Sequence, residues 1–373
     1  MKLICLQNKP AMPQEHLLKV DPLQDGVLPS TTPVSKEALE LAEFIRDKSN
    51  SLVDRVESYQ DIISIEIGDT PLTRMRNVER ETGLRQLYLK FEGGNPSGTQ
   101  KDRIAFAQCL DAMRRGYDTI TVATCGNFGA ATAQAAFLAN LVCIVFIPET
   151  YHTDRISEME AYGATVIRFP GSYEDNVYHS QQQAKVMKWY DANPGGHNAS
   201  LQISAYAEIA YEIYDTLRDA PKMVAVPVSN GTTLAGIYRG FVTLFRRGRT
   251  SRIPIMVAGS SYRKNPIVES FRLGYNSCVD LEESRIIETK VNEPLINWHS
   301  FDGDEALYAI RKSNGHAANV TDEQMLRYAK NLKEKEGLQV LPASTAGLYA
   351  LMQMHKASAL DSDRYVAVIT GRK

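Results

Sequence analysis

The most informative chemical group in this sequence is Lys101, which follows a glycine-rich loop. The segment FEGGNPSGTQK, residues 91–101, comes after a short apolar run that is typical of a β-strand. Asp102 and Arg103 follow and open a helical stretch. A lysine at such a junction can lie in a low dielectric with its amine partly unprotonated, as Schiff-base formation with an aldehyde cofactor requires. The alternative is a solvated lysine that opens a helix, with Asp102 as an ordinary first-turn acid.

Two further loops each join a predicted strand to a predicted helix. ATCGNFG, residues 123–129, precedes a helix over 130–140, and SNGTT, residues 229–233, precedes one over 234–245. Backbone N–H groups at a helix N-terminus favour anions, so the two loops suit a carboxylate and a phosphate. Tight turns whose glycines only relieve crowding are the alternative. Neither loop has a dinucleotide-binding or P-loop pattern.

Other candidate groups admit plainer interpretations. Thr370 ends the last apolar run, where its hydroxyl can share a hydrogen bond with a ring nitrogen or simply terminate a strand. Cys125 lies at a helix start, which lowers a thiol pKa, but no base is evident beside it, so a packing or carboxylate contact is favoured. Glu92 and Asp102 flank the lysine loop, and we interpret both as structural. The histidines show no metal-ligand spacing, and no metal site is expected.

The elements that must position these residues follow a βαβ rhythm. From Tyr88 onward short apolar runs alternate with amphipathic stretches, and a second series of buried runs begins at Met223. This pattern predicts parallel sheets covered on both faces. We therefore predict an α/β protein with two doubly wound domains, each a three-layer αβα arrangement of mostly parallel strands, and a ligand in the interdomain cleft.

The predicted domain boundaries follow changes in composition. Residues 1–35 are rich in proline and polar residues and are interpreted as an N-terminal arm that packs on a partner subunit. Residues 36–85 and 205–373 are assigned to a larger domain that binds the cofactor phosphate. Residues 86–204 are assigned to a smaller domain with the carboxylate loop, and 36–56 show helical spacing.

Composition narrows the class of partner. The chain has 373 residues, of which 43% are apolar and 23% charged, and a formal net charge of -2. Charge without long blocks gives no reason to expect nucleic acid or a membrane surface. Five scattered cysteines without a C-x-x-C pair indicate a reducing compartment, and no apolar run approaches a membrane span. We expect a cytoplasmic protein with a small-molecule substrate.

Taken together, the segments resemble the fold-type II pyridoxal-phosphate enzymes, the tryptophan synthase β-like group, with threonine synthases as the nearest branch. NPSGTQKDR is similar to the cofactor-lysine motif of that family, TCGNFGAA to its substrate-carboxylate loop and PVSNGTTLAGIYRGF to its phosphate loop. Further similarities are GDTPL, IAYEIY, KEGLQVLPASTAGLYAL and VAVITG. The resemblance covers about residues 65–373, in family order.

The resemblance implies a cofactor, pyridoxal 5'-phosphate, and a role for each matching residue. Lys101 would link to the cofactor and then move protons. Asn127 would bind the 3-hydroxyl of the ring, and Thr370 would face its nitrogen. The substrate carboxylate would be held by Thr124, Cys125, Gly126, Asn127 and Phe128. The cofactor phosphate would be held by Ser229, Asn230, Gly231, Thr232 and Thr233.

Departures from the family pattern bear on the substrate. Gln202 stands where threonine synthases carry an arginine for a substrate phosphate, Leu341 stands where glutamate is common, and Cys125 replaces serine. The chain also ends in TGRK in place of a longer tail. Loss of a two-pronged cation weakens recognition of a phosphate dianion.

The resemblance implies elimination and replacement at Cβ or Cγ of a small L-amino acid, with a threonine synthase-like reaction first. A hydroxyl at position 370 cannot protonate the ring as a carboxylate would, which favours lyase chemistry over transamination. Cysteine synthase-like β-replacement, serine or threonine dehydration, and synthesis of a non-protein amino acid are alternatives. A catalytically silent ligand-binding homologue is the alternative from another class. A homodimer is expected.

Overall fold

The computed structural model describes residues 34–151 and 153–373, so the predicted arm lies almost wholly outside the described residues. The α-helices are α1 (Lys36–Arg46), α2 (Leu52–Glu66), α3 (Arg76–Thr82), α4 (Lys101–Arg114), α5 (Asn127–Leu138), α6 (Ile156–Ala161), α7 (Tyr173–Met187), α8 (Ala199–Leu217), α9 (Thr232–Arg246), α10 (Pro266–Arg272), α11 (Gly303–Lys312), α12 (Asp322–Glu336) and α13 (Ala346–Ala357). The strands are β1 (Leu72–Arg74), β2 (Leu87–Phe91), β3 (Thr119–Ala123), β4 (Val142–Pro148), β5 (Thr165–Phe169), β6 (Tyr190–Asp191), β7 (Met223–Pro227), β8 (Ile255–Ser261), β9 (His316–Val320) and β10 (Tyr365–Ile369). Among these described helices, none is both long and apolar enough to cross a membrane.

The described strands form two sheets. One has six strands in the order β1-β2-β10-β7-β8-β9, and the other has four in the order β5-β4-β3-β6. Only the β1–β2 pair is antiparallel among the described strand pairs. Helices cover both sides of the sheets, which confirms the predicted α/β class with mostly parallel strands.

Strand burial explains why the central apolar runs lack alternation. Every residue of β3, β7 and β10 is buried, as parallel strands between two helical layers require. Helix α5 is buried on nearly all sides, and its many alanines let neighbouring elements approach closely. The first predicted helix is instead two helices, because Ser51 caps a new start by accepting a hydrogen bond from the Asp54 amide.

Two sets of contacts cross the predicted domain boundaries. Strand β2 begins at Leu87, inside the predicted smaller domain, but pairs in parallel with β10 of the six-stranded sheet. Helices α1 and α2, which the sequence assigns to the larger domain, contact α5, which follows a strand of the smaller sheet. Tyr59 donates a 3.0 Å hydrogen bond to the Ala135 carbonyl, and Arg46 lies 4.4 Å from the Phe137 ring centroid. These partners are distant along the chain, so local spacing does not specify them.

A buried ionic network lies beneath the lysine loop. Arg103, two residues after Lys101, donates to Glu92 at 2.6 and 2.9 Å and to Glu212 at 2.7 and 2.9 Å. Lys90 forms an ion pair with the same Glu212 and donates to the Thr70 carbonyl. Burial opposes ionisation of Glu212, yet Arg103 and Lys90 lower its pKa to about 2. The network joins β2, α4 and α8, and it supports the structural interpretation of Glu92.

We expect Arg103→Leu to lower the free energy of unfolding by about 3–5 kcal/mol, because two carboxylates lose their shared buried cation. Urea denaturation followed by circular dichroism measures this change. Arg103→Lys keeps the positive charge but lacks the planar guanidinium. Its free energy of unfolding should therefore lie between those of Arg103→Leu and wild type. Arg239→Leu is the matched control, since its pair with Glu305 is about half exposed at both ends. Equal midpoints for Arg103→Leu and Arg239→Leu would contradict the prediction.

Candidate functional site

One cavity collects the residues that the sequence singles out. It lies where β3, β7 and β10 end, at the carboxyl edges of both sheets. The predicted site residues that line it are Lys101, Thr124, Cys125, Gly126, Asn127, Phe128, Ser229, Asn230, Gly231, Thr232, Thr233 and Thr370. The structure thus brings all of them together.

Lys101 is the first residue of α4 and is partly buried in this cavity. Its Nζ lies 5.2 Å from the centroid of the Phe128 ring. Burial lowers the pKa of Lys101 to about 8, while Asp302 and Cys125 act in the opposite direction. An amine with this pKa is partly neutral near physiological pH and can act as a nucleophile.

The loop before α5 presents amides at a helix N-terminus. The Thr124 hydroxyl accepts from the amides of Gly126 and Gly129 at 3.0 and 3.2 Å. Within the described residues, the amides of Cys125, Asn127 and Phe128 have no protein acceptor. Their N–H groups are therefore available to an anion, whereas the Thr124 hydroxyl mainly shapes the loop.

Glycine is required in this loop for two reasons. Gly126 has φ 151°, in a region that other residues avoid. A Cβ atom there would also lie 2.6 Å from Thr153 Oγ1. Both observations explain the glycine without reference to a ligand, so they support the loop geometry alone.

The loop before α9 has its carbonyl groups tied to the polypeptide behind it. The Ser229 carbonyl accepts from Asn265 Nδ2 at 2.9 Å, and the Asn230 carbonyl accepts from the Asp302 amide at 3.2 Å. Thr232 Oγ1 donates to Asp302 Oδ2 at 2.5 Å. Because the carbonyls and one hydroxyl are used in this way, the amides at the start of α9 are the groups left for an anion.

The C-terminal strand and tail hold the lysine loop from the other side. The Gln100 amide donates to the Thr370 carbonyl at 3.0 Å, and Thr370 also lines the cavity. Arg372 donates to the carbonyls of Gly93 and Pro96 at 3.1 and 2.9 Å. Arg372 therefore helps to fix the loop that carries Lys101.

Sequence reasoning missed several residues at the cavity. Glu293, Pro294 and Leu295 form one turn of 3₁₀ helix after α10 and line it together with Ile296, and Tyr173 lines it from the start of α7. The Ser172 capping box signals the start of α7, but neither segment has the glycine-rich loop that marks the predicted site residues. Their position follows from long-range packing, so the sequence alone offers no pattern that would find them.

Cys125 and Glu293 line the same cavity, and each influences the pKa of the other. Burial and the nearby acids Glu293, Glu174 and Glu288 raise the pKa of Cys125 well above its usual value. The thiol is therefore protonated at neutral pH, which supports a packing or contact role over a nucleophilic one. Burial, together with the charge of Glu288, raises the pKa of Glu293 to about 8.

The departures from the family pattern have distinct positions. Gln202 is buried outside the cavity lining, where its Nε2 donates to the carbonyls of Ala192 and Asn193 at 3.1 and 3.3 Å. Leu341 lines the cavity with an apolar side chain. Of the described cavity-lining residues, Lys101 is the only basic one and Glu293 the only acidic one.

Comparison with known proteins places this geometry in context. Residues 63–371 match the family described as pyridoxal-phosphate dependent enzyme. Threonine synthase of Methanocaldococcus jannaschii is 31% identical over 84% of this chain and 76% of that protein. Threonine synthase of Synechocystis is 26% identical over 92% of this chain and 87% of that protein.

Solved structures share the fold. Maize serine racemase has a TM-score of 0.69 and 18% identity, covering 86% of this chain and 94% of that one. The processed form of threonine deaminase isoform 2 from Solanum lycopersicum has a TM-score of 0.67 and 17% identity, covering 86% of this chain and 90% of that one. The family match spans most of the chain and is joined by a relative above 30% identity. This chain therefore belongs to the pyridoxal-phosphate dependent enzyme family, in the fold-type II group that the sequence motifs predict, and its cofactor is pyridoxal 5'-phosphate.

Proposed function

We propose that this protein catalyses elimination and replacement at Cβ or Cγ of a small L-amino acid, with a threonine synthase-like lyase reaction as the first candidate. The observation that carries the proposal is the meeting of Lys101 with two amide-bearing helix starts in one cavity. Bound pyridoxal 5'-phosphate supplies an electron sink that acidifies the substrate Cα–H bond.

The residues present fit this cofactor. The amides at the start of α9, including those of Gly231 and Thr233, would hold its phosphate, and Thr370 would face its ring nitrogen. Asn127 would donate to the 3-oxygen of the ring. The amides of Cys125 and Phe128 would hold the substrate carboxylate. This assignment is supported by the free amides and by the presence of Thr370 in the cavity lining.

Lys101 would have two tasks in this proposal. Its amine would first bind the cofactor aldehyde and, once displaced by the substrate amine, would remove the proton at Cα. It would then carry that proton to the next reacting carbon. Partial burial beside Phe128 lowers the pKa of the amine, so that a fraction of it is uncharged near neutral pH. The same burial shields the amine from competing water.

Borohydride trapping tests the covalent assignment. We expect the protein loaded with pyridoxal 5'-phosphate to show a visible absorbance band that borohydride removes, leaving a pyridoxyl group on the peptide that contains Lys101. Lys101→Ala should lose this label and reduce turnover by about 100-fold or more. Lys312→Ala, on a surface helix, is the control. Full turnover by Lys101→Ala, or a label elsewhere, would refute the proposal.

The pH dependence of cofactor loading provides a second test. Because the neutral amine is the nucleophile, the loading rate should rise as pH approaches 8 and become constant above it, whereas a solvated lysine would continue to accelerate toward 10.5. Stopped-flow absorbance with apoprotein measures the rate. Asp302→Asn should move the midpoint to lower pH, since Asp302 raises the pKa of Lys101. A midpoint near 10 in wild type would contradict the prediction.

Dehydration of serine or threonine is a second candidate, and a specific observation favours it. A phosphate ester needs a cation, but Lys101 is the only basic side chain among the described residues that line the cavity. A hydroxyl leaving group needs a proton instead. Glu293 lines the same cavity, and its pKa of about 8 keeps the carboxyl protonated at neutral pH. A buried acid of this kind can protonate a departing hydroxyl.

We expect the two candidates to separate in a substrate screen. O-phosphohomoserine, O-acetylserine, serine and threonine are supplied in turn, and ketoacid and amino-acid products are measured. If Glu293 donates the proton, turnover of serine or threonine should fall as pH rises through about 8, because the acid form is lost there. Glu293→Gln should reduce that turnover about 100-fold and abolish the alkaline limb, with cofactor loading unchanged.

The outcomes of this screen are distinct. If the protein turns over O-phosphohomoserine efficiently and Glu293→Gln does not change that turnover, the threonine synthase-like reaction is supported and the dehydratase is refuted. No turnover of any substrate by loaded protein favours the catalytically silent homologue. A homodimer and a cytoplasmic location stay predictions, which sedimentation and cell fractionation test.

A further inference from the structure

Arg155, at the start of α6, links two segments that border Lys101. Its Nη1 donates to Asn127 Oδ1 at 2.8 Å, and its Nη2 donates to the Ser97 carbonyl at 2.8 Å. Ser97 lies in the lysine loop, and Asn127 is the first residue of α5. One side chain thus spans the lysine loop and the start of the helix that opposes it.

Glu158 anchors this guanidinium from within α6. Arg155 Nε donates to Glu158 Oε2 at 2.8 Å, and Nη2 donates to Oε1 at 2.7 Å. A two-pronged pair fixes the plane of the guanidinium as well as its position. The Arg155 side chain is 21% exposed, so solvent screens this pair only in part. The contact with Asn127 is therefore made by a preorganised group.

The contact determines which end of the Asn127 amide meets a ligand. A guanidinium only donates hydrogen bonds, so the atom that faces Arg155 is the amide oxygen. Asn127 lines the cavity, and no protein acceptor for its Nδ2 occurs among the described residues. The Asn127 Nδ2 group is therefore available to donate a hydrogen bond to a ligand in the cavity, whereas Oδ1 is occupied by Arg155.

We propose that Arg155 is a positioning residue that fixes the Asn127 amide so that Nδ2 donates to the 3-oxygen of the cofactor ring. This inference rests on the cofactor placement given under the proposed function. A donor stabilises the deprotonated, negatively charged form of that oxygen. A rotated amide would instead place its own oxygen against the negative charge, which is repulsive.

Arg155→Lys is the most informative variant. Lysine keeps the positive charge that faces Glu158 and the buried Asp102, but a single ammonium lacks the fork that reaches both Ser97 and Asn127. Arg115→Lys is the matched control. Arg115 donates a 3.2 Å hydrogen bond to the amide oxygen of Asn198, and neither residue lines the cavity. Glu158→Gln, which only loosens the anchor, provides a second variant on a partly exposed residue.

The experiment measures the dissociation constant of pyridoxal 5'-phosphate and the ratio of the ultraviolet to the visible absorbance band, which reports protonation of the ring oxygen. Arg155→Lys should raise the dissociation constant about tenfold and increase the ultraviolet band, as expected for one lost charge-supported contact. Glu158→Gln should change both in the same direction by less. Arg115→Lys should match wild type. In an Asn127→Ala background, Arg155→Lys should add little, because the two residues act as one unit.

Three results would overturn the inference. Arg155→Lys and Glu158→Gln with wild-type band ratio and affinity would show that the amide needs no support. An equal effect of Arg155→Lys with and without Asn127 would show that Arg155 acts through Ser97 or through folding. If wild-type protein fails to bind pyridoxal 5'-phosphate, the proposed function fails and the inference fails with it. Normal wild-type binding with unresponsive variants refutes the inference alone.

Discussion

The arrangement of this protein depends on the buried guanidinium of Arg103. It binds Glu92 at the end of β2 and Glu212 in α8, and it lies two residues from Lys101. The network contains two carboxylates and two cations, Arg103 and Lys90, so its net charge is zero. The close pairing of opposite charges offsets the free-energy cost of removing each charge from water. Because α4 starts at Lys101, fixing its first turn also fixes where the amine enters the cavity. The reactive group is thus placed by an interaction that takes no part in the chemistry.

The two loops that we propose as anion sites both leave backbone N–H groups without protein acceptors. In the loop before α9 the carbonyls are occupied elsewhere, as when the Ser229 carbonyl accepts from Asn265. In the loop before α5 the amides of Cys125, Asn127 and Phe128 have no acceptor among the described residues. The remaining N–H groups at the starts of α5 and α9 then face the cavity with the positive ends of the helix dipoles behind them. Amides keep their charge distribution at every pH, whereas lysine or arginine in these positions would depress the Lys101 pKa further. Binding the anions by amides would therefore avoid a further decrease in the pKa of Lys101, which stays at about 8.

How far the sequence predicts this site depends on the range of the interactions involved. Lys101 and the loops at 123–129 and 229–233 are recognisable because strand, glycine turn and helix start are adjacent along the chain. The pairing of β2 with β10 cannot be recognised in the sequence. An apolar run indicates that a strand is buried, but it does not indicate which strand it pairs with. Glu293 and Arg155 escape notice for the same reason. Glu293 lines the cavity from a single turn of 3₁₀ helix, whereas Arg155 contacts the lining residue Asn127 from the start of a short helix. Only the folded chain brings these groups together.

Charge in the cavity constrains the proposed substrate. The described lining has one basic side chain, Lys101, which the cofactor aldehyde would occupy in the proposed function, and one acidic side chain, Glu293. The amides at the two helix starts match two anions, which in the proposed function would be the cofactor phosphate and the substrate carboxylate. A third anion would find no second basic side chain among the described lining residues, which include the acid Glu293. Gln202 does not supply one, because its amide is committed to the 192–193 backbone. On this electrostatic ground, dehydration of serine or threonine, which loses an uncharged group, stands as a candidate beside the threonine synthase-like reaction.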